Sequence, residues 1–473
     1  VILFKIALRN ILRNSRRSAM TIGAVAVGAI AMVLFGQFMA FLVTGFETST
    51  VRRTGHLSVF HNGYFDFGAG NPSAYGIDDY IGMIRMIDDD PVLKPMLAVV
   101  TPTVSLFGIA GNFDIDASKT FFGLGVVPSD RDRMRQWDEH HMFTDGIATA
   151  DALDDSGLRD DDETRGVVGV GVARILGLCV KLKVHNCPTP PQTAVSGHSD
   201  MPPSRTDLTE LTQRDHDTAQ PAPADSSPRL DLLAATAAGA PNVVSMVVSK
   251  AEPEGIKELD ENTVVMHIKL AQQLLYGRGA HKAVAIVVQL RSTSDMTAAR
   301  ARLNDLIKLH GLDLEVRDFT ELQPQYEQVI GMFSTIFMFI VIVMGTIVLF
   351  TVVNTMSMSV MERTNEIGTA RAMGVRRSSI RWQFVIEGWM LGIVGVCVGL
   401  MLAAVIAAVV NRAGMSWTPP GQAAPIPLRL LTHGSGRLVL IVGLGLVAMA
   451  TVAALIPANR AARMQVVDAL RHI

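Results

Sequence analysis

The sequence predicts an α-helical membrane protein with four transmembrane helices and a large α+β extracytoplasmic domain inserted between spans 1 and 2. Three observations predict it. Residues 18–46, 328–361, 388–411 and 438–459 form apolar runs without a single Asp, Glu, Lys or Arg. Each run exceeds the roughly 20 residues that a helix needs to cross about 30 Å of hydrocarbon. The runs are also unevenly spaced, because the mostly polar residues 47–327 part the first from the other three. Finally, arginines gather before the first run, after the second and after the fourth, which are the same side of a four-span protein.

Composition agrees with a mixed membrane and soluble chain. Of 473 residues, 49% are hydrophobic and 18% charged, too apolar for a purely soluble protein and too charged for a bare helical bundle. A net charge of −2 gives no reason to expect a nucleic acid partner. Three cysteines occur. Cys397, inside the third run, reads as a small apolar packing residue. Cys179 and Cys187 share the inserted region, and their spacing suits a tight disulfide loop on an oxidising side of the membrane.

Taken in order, residues 1–17 predict an amphipathic helix along the cytoplasmic face. Phe4, Leu8, Ile11 and Leu12 share one side and Lys5, Arg9, Arg13 and Arg16 another. Span 1 is 18–46, and its length argues against a cleaved signal peptide. Residues 47–327 form the extracytoplasmic core domain, with strand-like runs at 57–60, 99–106, 167–170, 243–248, 264–268 and 284–290. Helical patterns fall at 77–87, 131–137, 172–178, 261–276 and 297–310. Residues 188–228, rich in Pro, Ser, Thr and Asp, cannot bury enough apolar surface to offset their ordering entropy and read as a flexible insertion. Span 2 with a stalk follows at 328–361, a cytoplasmic coupling helix at 362–381, span 3 at 382–411, a short outer loop at 412–437, span 4 at 438–459 and a cytoplasmic tail at 460–473. Positive charge around the spans places both termini in the cytoplasm; Arg52 and Arg53, just after span 1, are the counter-signal.

Catalytic patterns are missing from these residues. No G-x-x-x-x-G-K-[ST], H-E-x-x-H, C-x-x-C or G-x-S-x-G occurs. The acidic runs 88–90 and 160–163 read as solvated loops, so no metal site is expected. No ionisable group lies mid-span to relay protons; the nearest, Glu387, lies near the start of span 3. The expectation is a non-catalytic subunit whose energy comes from a partner.

Three short motifs carry a resemblance. The loop after span 2 reads Met361-Glu362-Arg363-Thr364-Asn365-Glu366-Ile367-Gly368-Thr369-Ala370-Arg371-Ala372-Met373-Gly374. It resembles the E-R-x-x-E-I-G-x-x-[RK]-A-x-G signature of FtsX/MacB/LolC-type (type VII, mechanotransmitting) ABC transporter permeases. The tail Ile456-Pro457-Ala458-Asn459-Arg460-Ala461-Ala462-Arg463, with Asp468-Ala469-Leu470-Arg471, is similar to that family's ending, with Val466 where Pro is usual. The start, Ala7-Leu8-Arg9-Asn10-Ile11-Leu12-Arg13-Asn14, resembles its A-x-R-N-L-x-R-N.

The resemblance implies ATPase coupling through Glu362, Arg363, Glu366, Ile367, Gly368, Arg371, Ala372 and Gly374. It also implies a cytoplasmic tail role for Arg460, Arg463, Leu470 and Arg471. In that reading Arg363 and Arg371 offer a polar face to the partner. The implied partners are two copies of a cytoplasmic ABC ATPase holding ATP and Mg, a second permease copy or paralogue, a periplasmic adaptor or lipoprotein substrate, and the lipid bilayer. The implied location is the bacterial inner membrane. The function expected is a permease subunit that transmits ATP-driven change to the periplasm, to extract or export a lipoprotein, lipid, peptide or hydrophobic compound. The alternative is an FtsX-like regulatory transmitter that controls periplasmic or cell-wall enzymes and transports nothing.

Overall fold

The structure is a computed structural model describing residues 2–13, 15–68, 72–142, 156–184, 187, 227–236, 239–279, 281–418, 425–432 and 434–465. The chain divides into a helical unit (1–47, 323–417 and 426–473) and a sheet-rich unit (48–322 and 418–425). Most of the expected flexible insertion 188–228, and the tail beyond residue 465 with Leu470 and Arg471, lie outside the described residues.

The helical unit begins with helix Ile2–Arg13. Four long helices follow, Ser15–Thr54, Pro324–Glu362, Arg377–Ala413 and Gly436–Arg463, each long and apolar enough to cross a membrane. The first two run antiparallel. Arg17 meets Glu362 at one end, Phe35 stacks on Phe337 midway, and Phe46 stacks on Tyr326 at the other end. The third long helix packs through glycines on two sides. A Cβ at Gly388 would lie 2.4 Å from Ala454 Cβ, and one at Gly392 would lie 3.0 Å from Ala450 Cβ. On the opposite flank, Gly395 faces Val25, and Gly399 sits against the carbonyl oxygen of Ala26 and Cβ of Ala29. Small residues at such spacing let backbones approach closely, which drives helix association where burial of apolar surface cannot. Cys397 is exposed on the flank of this helix and does not pack inside the bundle as expected. It lies between Gly395 and Gly399 in sequence but off the face that they share.

The sheet-rich unit is built around one long strand. In order its strands are β1 (Leu57–His61), β2 (Leu97–Asn112), β3 (Ala117–Val126), β4 (Arg165–Gly169), β5 (Arg229–Ala235), β6 (Pro241–Glu252), β7 (Thr263–His267), β8 (Ala285–Leu290) and β9 (Leu314–Asp318). They are ordered β3-β7-β4-β6-β5-β2-β8-β1-β9, and β2 pairs with β3 as well. The first half of β2, Leu97 to Thr103, joins β8, β1 and β9 in an antiparallel sheet. With helices Tyr80–Asp89 and Met296–Leu309 this makes a β-α-β-β-α-β unit of ferredoxin-like order. Its helix-facing core holds Leu57, Val59, Ile87, Ile286, Val288 and Leu303. The second half of β2 turns into β3, and that pairing closes β3, β7, β4, β6, β5 and β2 into a ring. The ring has its own core, including Leu106, Leu176, Leu232, Met246 and Met266.

The α+β expectation fits this unit, with two differences in detail here and one in the helical unit. Residues 261–276 are not one helix: Thr263–His267 is a fully buried strand, and helix Ile268–Tyr276 begins only after it. The β-branched Thr263, Val264 and Val265 find partners in β3 and β4, so sheet pairing overrides the helical pattern. Strands β3, β5 and β9 escape the sequence pattern because Gly, Lys, Asp or Arg interrupt their apolar alternation. The third long helix starts at Arg377, ahead of the expected 382, so residues 362–381 hold a short helix, Thr364–Ala372, and a turn.

Candidate functional site

One end of the helical unit collects the residues singled out by sequence. The second long helix stops at Glu362, Arg363 bridges to the short helix Thr364–Ala372, and Gly374 closes it with φ +90°. That left-handed backbone suits glycine and ends the helix sharply. The N-terminal helix lies against this connection. Arg17 pairs through both Nη atoms with both carboxylate oxygens of Glu362, and Arg13 Nη2 lies 3.1 and 3.3 Å from the two oxygens of Glu366. Arg13 and Arg17 are four residues apart in sequence, as are Glu362 and Glu366, and each pair straddles a break between two helices. Ser18 Oγ donates to the Ile11 carbonyl at 3.1 Å and ties the first two helices at their junction.

Arg363 corrects the sequence reading. It offers no polar face to a partner; it is 4% exposed and its Nη1 lies 3.4 Å from Oε2 of buried Glu387. The amide of Asn10 also bonds Glu387. An acid between packed apolar helices needs a counter-charge, and the break after Glu362 lets the Arg363 side chain turn inward to supply it. Ile367 and Gly368 are buried as well, Ile367 in the helical core beside Phe384 and Ala458. The expected contact face thus divides. Glu362, Arg363, Glu366, Ile367 and Gly368 bind within the chain, while Ala372, Met373 and Gly374 are exposed and Arg371 is half-buried. Arg460 and Arg463 line an open groove of about 510 Å³ with Asn459 and Met464. Sequence reasoning missed the cis pairing, although two arginines and two glutamates at an equal spacing of four residues were a legible signal.

The sheet-rich unit holds the remaining candidates. Cys179 and Cys187 are joined in a disulfide with Cα atoms 6.0 Å apart. Arg53 faces Glu254 at 3.9 Å, and Arg131 and Arg135 face Glu252. Burial holds the Glu254 carboxyl above its usual range, against the pull of Arg131 and Arg53. Of the two arginines that ran against the charge rule, Arg53 is therefore met by an acid, Glu254. The acidic runs are engaged too. Asp90 pairs with Arg302 at 2.7 Å, Glu163 with Lys269 at 2.6 Å and Asp162 with Arg165 at 2.6 Å. Among the described residues no three His, Cys, Asp or Glu side chains group as metal ligands would.

The family described as FtsX-like permease C-terminal matches residues 337–466, and the resemblance to FtsX/MacB-type ABC permeases read from the three motifs is borne out. The chain is similar to the macrolide export ATP-binding/permease protein MacB of Escherichia coli, 32% identical over 128 residues, 27% of this chain and 20% of that protein. It is similar also to MacB of Neisseria gonorrhoeae, 28% identical over 188 residues, 39% of this chain and 27% of that protein. The chain thus spans less than a third of the length of these relatives. The crystal structure of the periplasmic region of MacB from Actinobacillus actinomycetemcomitans aligns with a TM-score of 0.29 and 13% identity, over 59% of this chain and 95% of that one. A likeness at that score decides nothing about the fold.

Proposed function

We propose that this chain is the permease subunit of an ABC transporter complex in a bacterial inner membrane. A cytoplasmic ATPase in two copies, holding ATP and Mg, drives it, and the permease works with a second copy or a paralogue. The observation that supports this best is the charged connection between the second and third long helices, inside the segment that matches the FtsX-like permease family. It lies at the end of the bundle where the N-terminal helix also sits, so movement imposed there reaches three helices at once. The long helices Ser15–Thr54 and Pro324–Glu362 exceed the roughly 30 Å of hydrocarbon by a wide margin. Helices of that length would serve as a stalk carrying ATP-driven change outward. The relatives' name, macrolide export, makes a hydrophobic compound the first substrate class to test, ahead of lipoproteins, lipids and peptides.

Purification of the full chain from bacterial membranes, with the associated subunits identified by mass, tests the reading. An ATPase subunit should accompany it, and hydrolysis by the complex should change when macrolides or lipoproteins are added. A chain that carries no ATPase in mild detergent would sink the proposal.

A further inference from the structure

The acids described at this end of the helical unit are engaged. Among the described residues there, Glu362, Glu366 and Glu387 each face an arginine of the same chain. The basic side is not balanced in the same way. Arg376, Arg377, Arg381, Arg460 and Arg463 are exposed and Arg371 is half-exposed. The turn between the short helix and the third long helix adds an apolar knob, because Met373 is 75% exposed and Val375 sits beside it. Met373 and Val375 come just before Arg376 and Arg377 in the chain, so exposed apolar and cationic side chains follow one another there. Protein interfaces combine the two, with a desolvated centre and a polar edge that sets orientation and encounter rate. Phosphate headgroups would need only the charges.

We propose that the surface this end offers to its partner is basic, and that it docks on an acidic patch of the cytoplasmic ATPase, while the glutamates of the signature segment are held in cis by Arg13 and Arg17. The inference rests on the permease reading above and names the chemistry of that contact. It narrows the expected contact: the glutamates are engaged within the chain, Arg363 is buried, and the exposed arginines that remain meet the partner. Exposed pairs such as Arg13–Glu366 add little to stability, so their role is to neutralise the acids.

The test uses the full chain purified with its ATPase, in detergent and in phosphatidylcholine discs, with NaCl raised in steps. The wild-type complex should dissociate as salt screens the contact. Arg376→Glu with Arg377→Glu should weaken association roughly tenfold or more, and the Gln pair by an intermediate amount. Arg412→Glu with Arg437→Glu, at the other end of the helices, is the matched control and should associate like wild type. Glu366→Gln should shift dissociation to higher salt, because it releases Arg13 to the basic surface. Weaker association of Glu366→Gln, or none of these changes with the Arg376 and Arg377 variants, would overturn the inference. So would a loss seen only in discs containing phosphatidylglycerol, which would assign these arginines to lipid headgroups. A wild-type chain that holds no ATPase in any setting would instead fail the permease reading itself.

Discussion

His56 follows the first long helix and is 0% exposed. Its Nδ1 accepts the Leu290 N–H at 3.0 Å, and Nε2 lies 3.2 Å from Thr293 Oγ1. Trp137 and Phe319 meet the ring edge-on. With Nδ1 accepting, the neutral ring carries its proton on Nε2 and donates it to the threonine. Burial pushes the imidazole down to about 4, with Glu139 pulling the other way. The unfolded chain then binds the extra proton first as pH falls, so the contribution is whole above the ordinary value near 6.5 and fades towards pH 4. The full loss is on the order of 3 kcal/mol. Thermal unfolding of the purified protein should show the sheet-rich unit losing stability from pH 6.5 to 4, and His56→Gln should flatten that slope. An unchanged slope in the variant would remove His56 as its origin. Asp90 adds a second acid-sensitive element: Arg302 first, then the N–H groups of Val92 and Leu93, hold its carboxyl below the usual range against the effect of burial. Its share therefore disappears at lower pH than that of His56.

At the scale of elements, the third long helix shows what the sequence made legible and what it did not. Its span was legible from the absence of charge, but its neighbours were encoded by Gly388, Gly392, Gly395 and Gly399, which hydropathy does not weigh. A Cβ at Gly399 would lie 2.7 Å from the Ala26 carbonyl oxygen, and backbone cannot step aside as a side chain can. Gly399→Val should therefore separate the first and third long helices, lower the Tm of the detergent-solubilised protein by several degrees and reduce its yield. Gly445→Val, with nothing within 4 Å of the added Cβ, should behave like wild type. Equal Tm values for the two variants would show that close approach at Gly399 does not hold the helices together. The signature segment was legible in the same partial way. Its residues were found, and Gly374 closes the short helix, but the inward turn of Arg363 follows from Glu387, 24 residues later, and spacing along one helix cannot show that. In the sheet-rich unit, strands with β-branched runs were visible. The ring closed by β2 and β3 was not, because it depends on one strand of 16 residues serving two sheets.

For the whole molecule, orientation decides whether the coupling end can meet ATP at all. Two features of the chain bear on it. Charge is the first: the N-terminal segment, the connection at 362–381 and the residues after 459 carry arginines with few acids, a bias that marks the cytoplasmic side. Geometry is the second: Arg13 and Arg17 bond Glu366 and Glu362, so the N-terminal segment and the connection occupy one end of the bundle, and a single assignment of side fixes both. From the bias towards positive charge we expect Met373 inside the cell, and the chain between the first and second long helices outside. Labelling with a membrane-impermeant maleimide, in a Cys397→Ala background that keeps the Cys179–Cys187 bridge, checks this. Val243→Cys, at an exposed site in β6, should react in intact cells, whereas Met373→Cys should react only after the membrane is opened. Reaction of Met373→Cys in intact cells, with Val243→Cys protected, would invert the topology. It would then place the basic surface where no cytoplasmic ATPase could reach it, and the docking proposal would fall with it.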